Sequence, residues 1–231
     1  MLKELFNRKR YLYPELKPKS RFIKTLETHV LPEMEKEGFK LLKSGPSLKK
    51  KVDSFEWIVD FNASKWNSGN IVCIYNPYYT VKNVSYRKFL KDNPSLVHTY
   101  GEPGHVGTTY GKQHWDKNIF SLDDKKAYFL EDNDFAKYDN YELVDQMLKN
   151  IREVGMPYFQ MMSQFVGIKK FHIPLELRAD APKLFDLSYV LDKKEEAKNI
   201  LDWYYSSNSD CADWVELEMQ KRKEYWLQQR V

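Results

Sequence analysis

Two cysteines in 231 residues, Cys73 and Cys211, are too few for a disulfide framework. One lies in an apolar strand pattern and the other at a helix start, so a reducing compartment is expected. No stretch approaches the ~20 apolar residues of a membrane span, and the opening Met1 to Arg8 lacks the apolar core of a signal peptide. The expectation is a soluble, cytoplasmic protein with no membrane role. Charge of one sign is also scarce: 37 Lys and Arg against 33 Asp and Glu leave +4, which is too little to identify a dedicated nucleic-acid binder.

Catalytic motifs are missing as well. No Gly-x-Ser-x-Gly elbow occurs. Gly101, Gly104 and Gly107 are each separated by two residues, where a dinucleotide fingerprint needs Gly-x-Gly-x-x-Gly. From Gly107 to Gly111-Lys112 there is one residue too few for a Walker loop, and Gln113 stands where Ser or Thr would hold magnesium. The pair Asp123-Asp124 sits in a polar stretch with nothing to desolvate a general acid.

What is present is charge arranged in blocks and a readable succession of elements. Residues 1 to 24 carry eight basic side chains against Glu4 and Glu15, and Lys40, Lys43, Lys49, Lys50 and Lys51 follow without an acid among them. Residues 123 to 145 are rich in Asp and Glu, so the protein is expected to be dipolar. A helix is predicted from a Ser20 cap to Glu37, with Phe22, Ile23, Leu26, Val30, Leu31 and Met34 on one face, a bend at Pro32 and a stop at Gly38. Phe39 to Lys43 and Leu48 to Val52 flank Ser44-Gly45-Pro46 as a hairpin, and Phe55, Trp57, Val59 and Phe61 alternate as a strand. Further strands are expected at Ile71 to Tyr75, about 105 to 111 and Tyr128 to Leu130.

Helices dominate the rest. Asp139 with Glu142 is a capping-box-like start to a helix ended by Gly155, and Pro157 opens a second, stopped at Gly167. Ala181-Pro182 starts a short helix, Asp192 with Glu195 caps another, and Asp210 opens the last. The fold class expected is α+β: an antiparallel sheet of about five or six strands covered by an N-terminal helix, with a C-terminal helical hairpin. The organisation expected is a sheet domain over residues 1–167 and a helical extension over 168–231.

Phe22-Ile23, Leu26, Leu31-Pro32 and Gly38-Phe39, then a basic hairpin, the strand Trp57 to Ser64 and the later Met156-Pro157-Tyr158-Phe159 form a pattern that resembles the bacterial domain-of-unknown-function 4304 family over roughly residues 20 to 205. The resemblance implies a mixed α+β fold with no established activity, and it carries no catalytic residues with it. The Gly- and His-rich insertion around residues 98 to 115 and the final helix lie outside that pattern.

Two sets of residues stand out as candidate sites. Lys43, Lys49, Lys50 and Lys51 on the hairpin, with Tyr78 and Tyr79 at strand ends, form a basic and aromatic surface suited to a protein partner in an immunity or regulatory pair. His98, His105 and His114 are the alternative, a metal-dependent hydrolytic centre. They lie seven and nine positions apart on glycine-rich chain, and zinc motifs usually place two ligands closer on one rigid element. Lysines interleaved with tyrosines also suit single-stranded nucleic acid. The reading favoured is a binding protein with no cofactor.

Overall fold

The computed structural model of the chain describes residues 9–42, 46–61, 67–68, 72, 77–96, 120–122, 135–136, 138–165, 181–206 and 213–229. The architecture is α+β with an antiparallel sheet. The strands are β1 (Lys40–Leu41), β2 (Ser47–Val52), β3 (Phe55–Asp60), β4 (Tyr78–Asn83) and β5 (Phe120–Leu122), in the order β1-β2-β3-β4-β5. The chain divides into two compact units. Unit 1 takes Met1–Val52, Glu56–Thr80 and Leu122–Tyr158, and unit 2 takes Asp53–Phe55, Val81–Ser121 and Phe159–Val231. Each interleaves distant stretches of sequence.

Unit 1 begins with helix α1 (Pro18–Thr25), a π turn (Leu26–Val30) and α2 (Leu31–Glu35). Ser20 is not the cap: the helix starts two residues earlier at Pro18, whose fixed φ and absent N–H suit a first helical position. The bend expected at Pro32 takes the form of the π turn, in which the Leu31 N–H donates to the Leu26 carbonyl, five residues back. A proline inside a helix crowds the carbonyl four residues earlier, and a widened turn just before it relieves that crowding. Gly38 ends the run as expected. It has φ +85°, its N–H donates to the Glu35 carbonyl at 2.9 Å, and the Phe39 N–H donates to the Met34 carbonyl at 3.1 Å. This is a Schellman closure, and Phe39 is buried against it.

The hairpin β1–β2 is antiparallel, with Lys40 opposite Lys49 and Leu41 opposite Leu48. The two-residue turn Asp53-Ser54, with Asp53 at φ +51°, joins β2 to β3 and forces the same sense on that pair. The Phe61 N–H donates to the Pro46 carbonyl at 3.0 Å, which sets Ser47 opposite Asp60, Lys49 opposite Ile58 and Lys51 opposite Glu56. Alternation then sends Leu48, Trp57, Val59 and Phe61 to one face, where all are buried and where Phe22 meets Phe61 edge-on at 6.5 Å.

Helix α4 (Asn140–Asn150) is capped by Asp139, whose Oδ1 accepts from the Tyr141 and Glu142 N–H groups. Gly155 does not end it. The chain stays helical through a second π turn (Ile151–Gly155) into α5 (Met156–Gln164), again immediately before a proline, Pro157. Gly155 serves packing instead: a Cβ there would lie 2.3 Å from Cε1 of the buried Tyr79. The Tyr79 hydroxyl donates to Asn150 Oδ1 at 2.5 Å. Helix α5 ends at Gln164, short of the stop expected at Gly167, which lies outside the described residues; Phe165, just past the end, has φ +58°.

Unit 2 contains α3 (Val84–Asp92), capped by the Asn83 side chain accepting from the Tyr86 N–H at 2.9 Å, then α6 (Ala181–Val190), α7 (Lys194–Ser206) and α8 (Asp213–Gln228). The C-terminal hairpin expected from sequence is a three-helix grouping in which α7 and α8 both pack on α6. Asp192 does not cap α7. It has φ +55° and closes α6, its N–H donating to Tyr189 and the Lys193 N–H to Ser188, at 3.0 and 2.7 Å. The Trp226 ring stacks on both Phe89 (5.2 Å) and Tyr189 (4.7 Å). Val72 is buried, but the rest of the strand expected at Ile71 to Tyr75 lies outside the described residues, as do those expected at about 105 to 111 and Tyr128 to Leu130.

Candidate functional site

The hairpin lysines fall on two faces. Strand alternation, with the observed register, places Lys40, Lys49 and Lys51 together on the face of β1–β3 opposite Trp57 and Phe61. Lys40 and Lys51 are exposed, and neither makes an ion pair among the described residues. Lys49 pairs with Glu56 at 2.5 Å, both side chains 26% exposed. Lys50 does not belong to this set. Its Nζ turns to the core face, 5.2 Å from the Trp57 ring and 5.8 Å from that of Phe39, because a strand cannot present consecutive side chains on one side. Lys43 lies outside the described residues. Lys40, one member of the basic run, is the residue the sequence-based set omitted; the signal for it is the hairpin register, which brings it across from Lys49.

The tyrosines also separate. Tyr79 is a core residue, fully buried, with Gly155 beneath its ring and its hydroxyl bound to Asn150, so it cannot meet a partner. Tyr78, its neighbour on the other side of β4, is half-buried. His98, His105 and His114 all lie outside the described residues. Among the described residues no group of three His, Cys, Asp or Glu side chains is placed to hold a metal ion, and no helix is long and apolar enough to cross a membrane.

Two further polar clusters were not anticipated. In unit 1 the N-terminal segment is tied down through Asp139 and Asn140. Asp139 accepts from the Arg10 backbone N–H at 2.8 Å and from its Nε and Nη2 at 3.0 and 3.1 Å, while Asn140 Oδ1 accepts from the Leu12 N–H and from Arg21 Nη2, each at 2.8 Å. The Arg10 guanidinium, helped by its backbone N–H and that of Glu142, holds the Asp139 carboxyl down at about 2. Arg10 also lies 4.6 Å from the Tyr141 ring, and His29, carried on the first π turn, meets that ring edge-on at 5.3 Å. The carboxylate and amide oxygens are taken up by donors of the same unit, so the cluster reads as a fastening.

In unit 2 a buried acid–arginine group joins three helices. Arg222 Nε donates to Asp186 Oδ2 at 2.7 Å, Nη2 to the Leu96 carbonyl at 2.7 Å, and Nη1 to Glu218. Trp226 Nε1 donates to Asp186 Oδ1 at 2.9 Å, and the Tyr86 hydroxyl lies 3.4 Å from Oδ2. Burial pushes the Asp186 carboxyl up to about 6 against the pull of Arg222 and the Trp226 N–H. A raised carboxyl inside a cleft would suggest a general acid. Asp186 is completely buried and both its oxygens are engaged, so no substrate atom can reach it. The group positions helices.

The lysine face is therefore the accessible candidate. Its chemistry is that of clustered cations, suited to attracting negative charge. Comparison of the chain with family models, with curated proteins and with solved structures finds no match.

Proposed function

We propose that this chain is a non-enzymatic, cytoplasmic binding protein whose lysine face, Lys40, Lys49 and Lys51, receives an acidic protein partner. The observation that carries the reading is Lys40 directly opposite Lys49. Like charges facing across an antiparallel pair destabilise it; Glu56 pairs with Lys49 and stands opposite Lys51, which leaves Lys40 facing a cation with no acid across from it. A charge pattern that weakens the free protein is accounted for if a partner neutralises it. In this reading the N-terminal helical run covers the apolar face of the five-stranded sheet, as the Phe22–Phe61 contact supports, and leaves the lysine side for the partner. The resemblance to the domain-of-unknown-function 4304 family is kept as a proposal of kinship.

The test is affinity capture from the native host with the full chain and, in parallel, with the double variant Lys40→Glu/Lys51→Glu. One stoichiometric protein is expected with the native chain, and it should be lost with the variant and with rising salt. Recovery of the chain alone at physiological salt overturns the reading. The single variant Lys40→Glu supplies a second arm: it turns a repulsive cross-strand pair into an attractive one, so it should raise stability by about 0.2–1 kcal/mol while weakening capture.

A further inference from the structure

Resting on that reading, we infer that the partner meets the lysine face as an acidic α-helix, its carboxylates spaced at i and i+4 along one side. Lys49 and Lys51 are two residues apart on one strand, ~7 Å, and carboxylates one helical turn apart stand at a similar spacing, ~6 Å. Lys40, across from Lys49, offers a third cation ~5.5 Å away in the direction across the strands. Ile58, the next residue in that row, is already buried, so the open part of the face lies over β1 and β2. Two strands are ~10 Å wide, the diameter of one helix.

The backbone decides between a helix and an extended segment. An extended peptide laid on a sheet face leaves its own N–H and C=O groups without partners, whereas a helix satisfies them internally; helix on sheet is the ordinary layered solution. Pairing at the sheet edge is a poor alternative, because the outermost strand β1 has only two residues and carries a lysine, a composition that discourages strand addition. Nucleic acid fits less well. Glu56 and Asp60 share the face and would repel a continuous phosphate track.

The experiment uses the full chain and three probes: an alanine-rich peptide of about twenty residues with glutamates at i and i+4, a peptide of the same length and charge broken by prolines in place of alanines, and an oligothymidylate of equal charge. Binding is followed by fluorescence anisotropy and by amide shifts of Lys40, Lys49 and Lys51. The helical peptide is expected to bind about tenfold more tightly than the broken one, since its ordering cost is already met, with the shifts at those lysines and with loss of binding in Lys40→Glu/Lys51→Glu. Equal or tighter binding of the broken peptide overturns the helix while leaving the capture result to stand by itself. If no peptide binds but capture returns a partner, the helix is again overturned and the broader reading survives. Tighter binding of the oligothymidylate than of either peptide overturns both.

Discussion

At the residue scale, one missing methyl group organises much of unit 1. Alanine at an interior helical glycine normally gains ~1 kcal/mol, but at Gly155 the added carbon would stand 2.3 Å from the Tyr79 ring, whose hydroxyl is tied to Asn150. Overpacking of this kind costs ~1–3 kcal/mol, so Gly155→Ala is expected to lower stability on balance, read by chemical denaturation. The two perturbed carboxyls carry opposite signs. Asp139, at about 2 when folded against 3.8 as a free side chain, contributes stability that is present above pH ~4 and is lost as pH falls toward 2. Asp186, at about 6, does the reverse: the folded state takes up a proton before the unfolded chain does, so its stabilising contribution is greatest below pH ~4 and declines as pH rises through 6. Carboxyl carbon shifts followed by NMR should show midpoints near these two values, and a midpoint for Asp186 below 4 would contradict the account.

At the scale of elements, the most regular device is a π turn set just before each of two prolines, at Leu26–Val30 before Pro32 and at Ile151–Gly155 before Pro157. Sequence reading located the prolines and assigned a bend to one and a new helix to the other. It missed the π turns because nothing in a period of 3.6 announces an inserted residue. The Gly38 stop, the Asp139 cap and the alternation of Phe55 to Phe61 were legible, since each depends on local chemistry. Asp192 was not, because an Asp at a helix boundary suits a left-handed end as well as an N-cap, and only the backbone distinguishes them. Glycine tolerates that conformation without strain, so Asp192→Gly should raise the stability of unit 2 by up to ~1 kcal/mol, measured by thermal or urea unfolding. The candidate site was half legible: the lysines were named from composition, but their division between faces needed the strand register, which reassigned Lys50 and added Lys40.

At the scale of the whole molecule, each unit has its own buried polar fastening. In unit 2, Arg222 is the common partner of Asp186, Glu218 and the Leu96 carbonyl. Removing one member of a buried ion group leaves uncompensated charge and costs ~3–5 kcal/mol, whereas replacing the group with apolar residues of similar volume is often neutral. Arg222→Met should therefore destabilise α6 and α8 severely, seen as lost amide protection over Ala181–Val190, and Arg222→Met/Asp186→Leu/Glu218→Leu should recover much of it. If the triple variant is no better than the single one, the group does more than hold helices. Neither fastening was visible in sequence, because their members lie 129 residues apart in one case and 36 in the other, and an isolated Arg or Asp gives no sign of its distant partner.

The close approach of Gly155 to Tyr79 reaches beyond this molecule. Any descendant or cousin of the chain that acquires a side chain at position 155 must shrink the ring at 79 in the same lineage or abandon the hydroxyl's anchor on Asn150. Those three positions should thus change together, a covariation that would mark true kin even where overall similarity has faded.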